Sequence, residues 1–565
     1  MTPQIRGTVF SSLRGYRRGF LRPDAVAGLT VWAVLVPEAL AYAAIAGVPA
    51  VVGLYAAVPA LILYAAAGSS RHLVVGPMSA TAALSAAMVG PIAGDDPQLF
   101  IAATAGLALV AGLLALLAGA LRFGFIASFI SEPVLKGFIV GLALTIIIGQ
   151  VPKLIGVPKG SGNFFEQSAT FVSHVGDANW RTAIIGGASL AVVLSIRRWL
   201  PLIPGSLVAV LGGIGAVWLL DLDDNGVDIV GHIDPGLPTL GLPSGVSADQ
   251  YLELVGPAVG IVLIGFAEGL GAAKTYAAQA GYTVDANREL VGLGTANIGS
   301  GLCSGMVVNG SLSKTAVNGG AGAKTQVSGL VVAALTVVTL LLLTGLFENL
   351  PEATLAAVVI AAVIELVDIP ALRRLYRVWT TRLGSIYGRA ARADFIGALA
   401  ALAGVLIFDT LPGLVIGIGI SMLLLLYRTS RPHIATLVKA QSRWVDAANN
   451  PDLTGIEGVV VARVESGLFF ANADHVRDHL TTLAAQPGTR ILVLDAETSP
   501  FIDVSAVTML TDLHTALART GVELRIAREV AQFRDVIDAA APGTALRTYP
   551  TVSAALAPPP TDDPR

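Results

Sequence analysis

The sequence predicts a polytopic α-helical membrane protein of about fourteen spans followed by a small α/β domain. Three observations predict it. The 565 residues are 54% hydrophobic and only 13% charged, with mean hydropathy +0.72, whereas soluble domains carry about 25% charged residues. The deficit is confined to Asp24–Tyr427, and ordinary charge density returns from Arg428. Within the poor region, apolar segments long enough to cross a hydrocarbon core about 30 Å thick recur one after another.

Taken in order, full spans are expected near 25–45, 51–67, 98–119, 126–150, 181–196, 203–220, 251–272, 289–303, 326–346, 353–367, 392–409 and 411–427. Two shorter segments, 76–92 and 311–322, are interrupted by Gly, Pro or polar residues and count as half-length elements. Lys and Arg stay on the cytoplasmic side of a membrane protein. With the five-Arg N-terminal arm inside, the inner loops carry Arg71, Arg122, Arg197, Arg198 and the run from Arg373 to Arg392. The segment 221–250, which falls outside, has six Asp and no Lys or Arg. Lys153, Lys159 and Arg181 depart from this rule, because the same count places them outside.

The two short segments form a repeat. Gly76-Pro77-Met78-Ser79-Ala80-Thr81 opens one and Gly310-Ser311-Leu312-Ser313-Lys314-Thr315 the other, so both begin Gly-x-x-Ser. The first turn of a helix carries unpaired N–H groups and a partial positive charge. Inside a membrane, where water does not compete, such a start is an anion site. Ser79 and Ser313 can add hydroxyl donors and Lys314 a full charge. The plainer alternative is two Gly-containing loops or kinked helices. Discontinuous helices at matching places in two halves are also the mark of a secondary transporter.

Each half places a carboxylate ahead of its broken helix: Glu38 in the first span and Glu268 in the eighth. An ionisable group at that depth is costly and is usually functional or paired. Lys314 is the expected partner of Glu268, a pairing that could be purely structural. Glu38 has no basic neighbour in sequence, which leaves it as a proton-coupling site or a packed, hydrogen-bonded acid.

The tail alternates strand-like runs (459–464, 490–495, 521–526) with amphipathic helix patterns (474–485, 505–520). The expected organisation is therefore a cytoplasmic arm 1–23, a membrane domain 24–430 with repeats at about 24–220 and 251–430, a linker 431–454, an α/β domain 455–555 and a disordered tail 556–565. Net charge −3 gives no reason to expect nucleic acid as a partner. The lone Cys303 excludes an intrachain disulfide, and no phosphate-cradling Gly-Lys-[Ser/Thr] loop, His/Cys cluster or catalytic triad is readable. The chain is not expected to be an enzyme or a primary pump.

The run Pro37–Met88, the stretch Ala267–Asn318 with its ANREL segment at Ala286–Leu290, and the block Asn309–Asn318 resemble the sulfate permease (SulP) family of anion transporters. Gly467–Val476 and Leu494–Ala506 resemble the loops of a STAS domain. The resemblance implies seven plus seven inverted repeats, divided into core and gate domains. It implies an anion held by backbone at Ser79–Ala80 and Leu312–Ser313, with Tyr42 lining the pocket and Lys314 supplying charge. Many relatives have Gln where this chain has Glu38, a substitution similar to members thought to couple anion uptake to protons. Many have Arg at Lys314, so the planar fork that binds oxyanions bidentately is lost here. In stand-alone STAS relatives the residue matching Ser505 is phosphorylated; the alternative is that Ser505 caps its helix.

The expected function is secondary active uptake of a small inorganic anion, sulfate first, by proton-coupled symport with alternating access. Bicarbonate and dicarboxylates are alternatives, as are a nucleobase transporter and a non-transporting receptor signalling through the tail. No cofactor is expected; protons, or failing them sodium, are the coupling ion. The expected setting is a multi-pass homodimer in the lipid bilayer of a bacterial inner membrane, with both termini cytoplasmic.

Overall fold

The computed structural model describes residues 9–557, apart from 14, 126–131, 161, 201–202, 234, 365–366, 368, 381–387, 409, 442 and 544–545. The chain divides into two compact units, Met1–Ser421 and Met422–Arg565.

In the first unit every expected span falls on helix over most of its described residues, while 126–131, 365–366 and 409 of those spans lie outside the described residues. The first half holds α1 (Leu21–Ala46), α2 (Ala50–Ala67), strand β1 (Val74–Gly76) leading to α3 (Ser79–Ala93), α4 (Pro97–Ala120), α5 (Glu132–Ile155), the short α6 (Phe164–His174), α7 (Trp180–Trp199) and α8 (Gly205–Leu220). The second half holds a one-turn α9 (Ala248–Glu253), α10 (Val255–Ala280), α11 (Ala286–Leu302), strand β2 (Asn309–Ser311) leading to α12 (Leu312–Gly320), α13 (Val327–Val338) and α14 (Glu352–Val363). It continues with α15 (Ile369–Thr380), α16 (Gly388–Phe408) and α17 (Thr410–Ser430). Among the described residues, seven helices are long and apolar enough to cross a membrane, and five shorter ones are apolar over 10–17 residues.

The halves interlock. Helix α4 packs on α11, α1 on α13, α5 on α16 and α7 on α14, so each layer draws helices from both repeats. Without a hydrophobic force between helices in lipid, such packing relies on small residues that let backbones approach. A Cβ at Gly294 would lie 2.8 Å from the Gly112 carbonyl oxygen, and one at Gly137 would lie 1.9 Å from that of Ala398. Only glycine fits at either crossing.

Helix starts are written locally. Asp96 accepts hydrogen bonds from the N–H groups of Gln98 and Leu99, with Pro97 opening the helix, and Asp285 accepts from those of Asn287 and Arg288. Two buried carboxylates fasten distant segments. Asp24 accepts from the N–H groups of Lys324 and Thr325 and the Thr325 hydroxyl. Glu289 accepts from Tyr64, Ser69 and the N–H of Ser70. Lys274 on α10 is exposed, as a residue reaching the interface should be.

The second unit is an α/β domain with a six-stranded sheet in the order β4-β3-β5-β6-β7-β8. Its strands are β3 (Ile434–Ala440), β4 (Arg443–Asp446), β5 (Val459–Val464), β6 (Ile491–Asp495), β7 (Glu523–Ala527) and β8 (Arg547–Tyr549). Strands β5 to β8 run parallel, joined through α18 (Ala473–Ala484), α19 (Val504–Arg519) and α20 (Ala531–Ala540), whose apolar stripes bury Val476, Leu480, Leu510, Leu513 and Phe533. Two expectations are corrected here. The supposed linker 431–454 supplies β3 and β4, because β3 pairs with β5 and buries apolar residues on both faces, Ile434 on one and Ala435 and Leu437 on the other. Ser505 is not the helix cap: Asp503 accepts from the N–H of Ala506, and Ser505 lies exposed in the first turn. Of the expected disordered tail, 556 and 557 are described, and 558–565 lie outside the described residues.

Gly137→Ala should lower the thermal midpoint of the detergent-purified protein by several degrees, since overpacking costs about 1–3 kcal/mol. Gly187→Ala, where a Cβ would meet nothing within 4 Å, should leave the midpoint unchanged. Equal midpoints for both variants would contradict the close α5–α16 crossing.

Candidate anion site

The site begins with two three-residue strands. β1 and β2 pair antiparallel, Val74 opposite Ser311, Val75 opposite Gly310 and Gly76 opposite Asn309. Each strand runs almost directly into a half-length helix, so the pairing brings the starts of α3 and α12 together from opposite directions. The crossing is tight: a Cβ at Gly310 would sit 2.9 Å from Gly269 Cα on α10. Side chains around it lock the register. The Thr315 hydroxyl accepts from Val74 N–H at 3.1 Å, Asn318 donates to the His72 carbonyl, and Gln326 donates to the carbonyls of Ser70 and Leu73. Asn297 on α11 both accepts from the Val308 N–H and donates to the Val308 carbonyl.

Helix α3 starts after Met78 with no side-chain cap. Its first-turn N–H groups, with Ser79 and Ala80 buried at that turn, are therefore open to a ligand. Helix α12 differs by one position. Ser311 is its cap and accepts from the Lys314 N–H at 3.3 Å, while the Ser311 and Ser313 hydroxyls lie 3.2 Å apart. Leu312 and Ser313 are exposed, so this start opens toward space and not into packed protein.

Lys314 is the charge of the site. Its side chain is 1% exposed, and its ammonium lies 2.7 Å from Glu38 Oε2, donates to the Pro77 carbonyl at 3.2 Å and sits 4.9 Å from the Tyr42 ring centroid. The face of a tyrosine attracts a cation. Tyr42 and Glu38 stand one turn apart on α1, so one helical face presents both to the same lysine. The expected Lys314–Glu268 pair is thereby overturned. Glu38 takes that place because β1–β2 pairing directs α12 toward α1. Glu268 lies half-buried on α10, with Oε2 lacking a hydrogen-bond partner among the described residues.

The structure thus brings Glu38, Tyr42, Ser79, Ala80 and Lys314 to one place, with Leu312 and Ser313 at its rim. Sequence reasoning missed three participants. Ser311 was legible as a cap, since Ser before a helical run has that signature. Pro77 acts through its carbonyl, which no pattern announces. Asn309, buried with Nδ2 unpartnered among the described residues, stood in the block Asn309–Asn318 without any sign of its own role.

The sulfate permease family model matches residues 21–386, and the STAS domain model matches 450–555. A probable sulfate transporter of Mycobacterium tuberculosis is 37% identical over 93% of this chain and 92% of its own length. Sulfate transporter 1.3 of Arabidopsis thaliana is 30% identical over 91% of this chain and 80% of its own. The murine Solute Carrier 26 family member A9 anion transporter in its inward-facing state superposes with TM-score 0.86 at 22% identity, covering 96% of this chain and 92% of the other. The transmembrane domain of the cyanobacterial bicarbonate transporter BicA superposes at 0.60 and 23% identity, over 71% of this chain and 98% of the other. At these identities the two structures establish fold alone. The chain is a multi-pass membrane transporter and not an enzyme: it belongs to the sulfate permease family of anion transporters and carries a STAS domain at its end.

Proposed function

We infer that this protein is a secondary active importer of sulfate, driven by protons and working by alternating access in a bacterial inner membrane with both termini cytoplasmic. The substrate rests on the relatives named as sulfate transporters. The coupling rests on a single observation, the 2.7 Å contact between Lys314 and Glu38 beside two helix starts.

The physics of that contact suggests the cycle. While Glu38 is ionised, Lys314 is neutralised and an anion meets only the partial charges of the helix starts. A proton on Glu38 releases the full positive charge of Lys314 to the anion. Anion and proton therefore favour each other's binding, and by linkage the effect is reciprocal. The empty carrier returns with the pair re-formed, so no uncompensated charge is exposed to lipid, where it would cost several kcal/mol. Glu268, with its unpartnered oxygen, is the second candidate on the proton's route. The core of α1–α4 and α10–α13 moving against the remaining helices supplies alternating access. A homodimer is the expected assembly, and Ser505, exposed in a first helical turn where negative charge is favourable, is the candidate for regulation by phosphorylation.

Proteoliposome uptake of radiolabelled sulfate, with and without an inward proton gradient, tests the reading; bicarbonate, dicarboxylates and uracil serve as competitors. Lys314→Ala should weaken sulfate binding more than about tenfold, since a hydrogen bond to a charged group contributes about 1.5–3 kcal/mol. Near-normal binding would remove Lys314 from the site. Glu38→Gln should bind sulfate yet lose stimulation by the gradient, and an unchanged pH dependence would reject coupling through Glu38. Deleting residues 431–565 should leave sulfate binding measurable. Its complete loss in a folded truncation would make the STAS domain part of the site.

A further inference from the structure

On the side opposite the arginine-rich loops lies a second cavity, about 330 Å³, between the end of α1 and the α5–α14 wall. Ala41 and Ala44 line it from α1, Gln150 and Lys153 from α5, Val230 from the segment after α8 and Glu352 from the start of α14. Ala41 and Ala44 lie three and six residues beyond Glu38 on α1, so the cavity sits further along the helix that carries the candidate anion site. It holds far more than the single water that needs about 10–15 Å³.

Three features give it a chemistry. Gln150 is only 6% exposed yet its amide makes no hydrogen bond among the described residues, so a donor and an acceptor face the cavity unpartnered. Its amide atoms keep accessible surface, so they are free to meet water or a ligand in the cavity. Lys153 reaches Glu352 at 3.0 Å, but both side chains remain about one third exposed, so neither is sealed in the pair. A second ammonium stands behind the first: Lys159 lies across Gly149, with Nζ 3.9 Å from where a Cβ would be. Gly149 and Lys153 are one turn apart on the same face of α5. Burial lowers the pKa of Lys159, and Lys153 lowers it further. These are the two lysines, beside Arg181, that depart from the charge rule for outer loops.

A purely structural bridge would account for Lys153 and Glu352, because it ties the end of α5 to the start of α14. It accounts for neither Gln150 nor Lys159. As α5 and α14 pack on each other, the bridge spans a single wall and cannot latch that wall to α1.

We propose that this cavity is an outer recruitment site for small oxyanions, in which the Gln150 amide and Lys153, backed by Lys159, hold the anion before it passes along α1 to Lys314. It rests on the importer reading above, but its charge is measurable without transport. In a Cys303→Ser background, Ala44→Cys and separately Val230→Cys place a reporter thiol in the cavity of the full-length protein in proteoliposomes. Each is modified with methanethiosulfonates carrying a sulfonate or a trimethylammonium group, scaled to their rates on a free thiol. The anionic reagent should react about tenfold faster than the cationic one, the lower end of focusing by a charged cleft. Lys153→Gln should remove most of that preference. Millimolar sulfate should slow modification, and should still do so in Lys314→Ala, where the inner site is disabled.

Equal rates for the two reagents, indifference to Lys153→Gln, or failure of both thiols to react would overturn the proposal. Protection that vanishes with Lys314→Ala would also overturn it, by assigning the anion to the inner site alone. If the preference and protection hold while sulfate uptake is absent, the importer reading fails and the outer site stands.

Discussion

Antiparallel pairing of two three-residue strands is the constraint on which the rest of this membrane domain depends. A backbone N–H or C=O left unpaired in lipid costs several kcal/mol, so a helix broken halfway across must find partners for its loose ends. Here each broken helix supplies the other's. Val74–Gly76 and Asn309–Ser311 satisfy one another, and the geometry of that pairing leaves two helix starts converging on one spot. The candidate anion site is thus a by-product of how the chain solves its hydrogen bonding, with Lys314 added. Glycine at 310 is the steric condition for it, since any Cβ there would push α10 away.

The charge placed there raises its own problem. A buried ammonium and a buried carboxylate gain by pairing, but their desolvation roughly cancels the gain, so such a pair is weak evidence for stability. Its value lies in the states it separates. Paired, the site is neutral; with Glu38 protonated, it is cationic. The Tyr42 ring and the Pro77 carbonyl favour the lysine charge in both conditions without neutralising it. A lysine, unlike an arginine, concentrates the charge on one compact, rotatable group, which one carboxylate can occupy.

Much of this was legible in the sequence because a bilayer imposes length and polarity on every span. The segments, the two Gly-x-x-Ser starts and the importance of Glu38 and Lys314 were readable from residues alone. The partner of Lys314 was not. Glu38 lies 276 positions earlier, and only the pairing of β1 with β2, strands too short to show any alternation, decides between it and Glu268. The same limit hid β3 and β4 in the supposed linker. There the polar residues Arg443 and Asp446 mask the edge hairpin, and its buried face becomes clear only once β5 is beside it. Asp503 outranked Ser505 as a helix cap because the helix begins one residue earlier than its apolar pattern indicates.

The proposed exchange of Glu38 for an anion at Lys314 requires that sulfate and a proton arrive together. Calorimetric titration of sulfate into the purified protein, repeated at pH 7.5 in buffers of different ionisation enthalpy, counts the protons taken up on binding. Close to one proton per sulfate for the native chain, falling to none in Glu38→Gln, is the expected result. Sulfate binding to the native chain with no proton uptake would show that Lys314 and Glu38 stay paired around the anion, and the coupling would have to lie elsewhere.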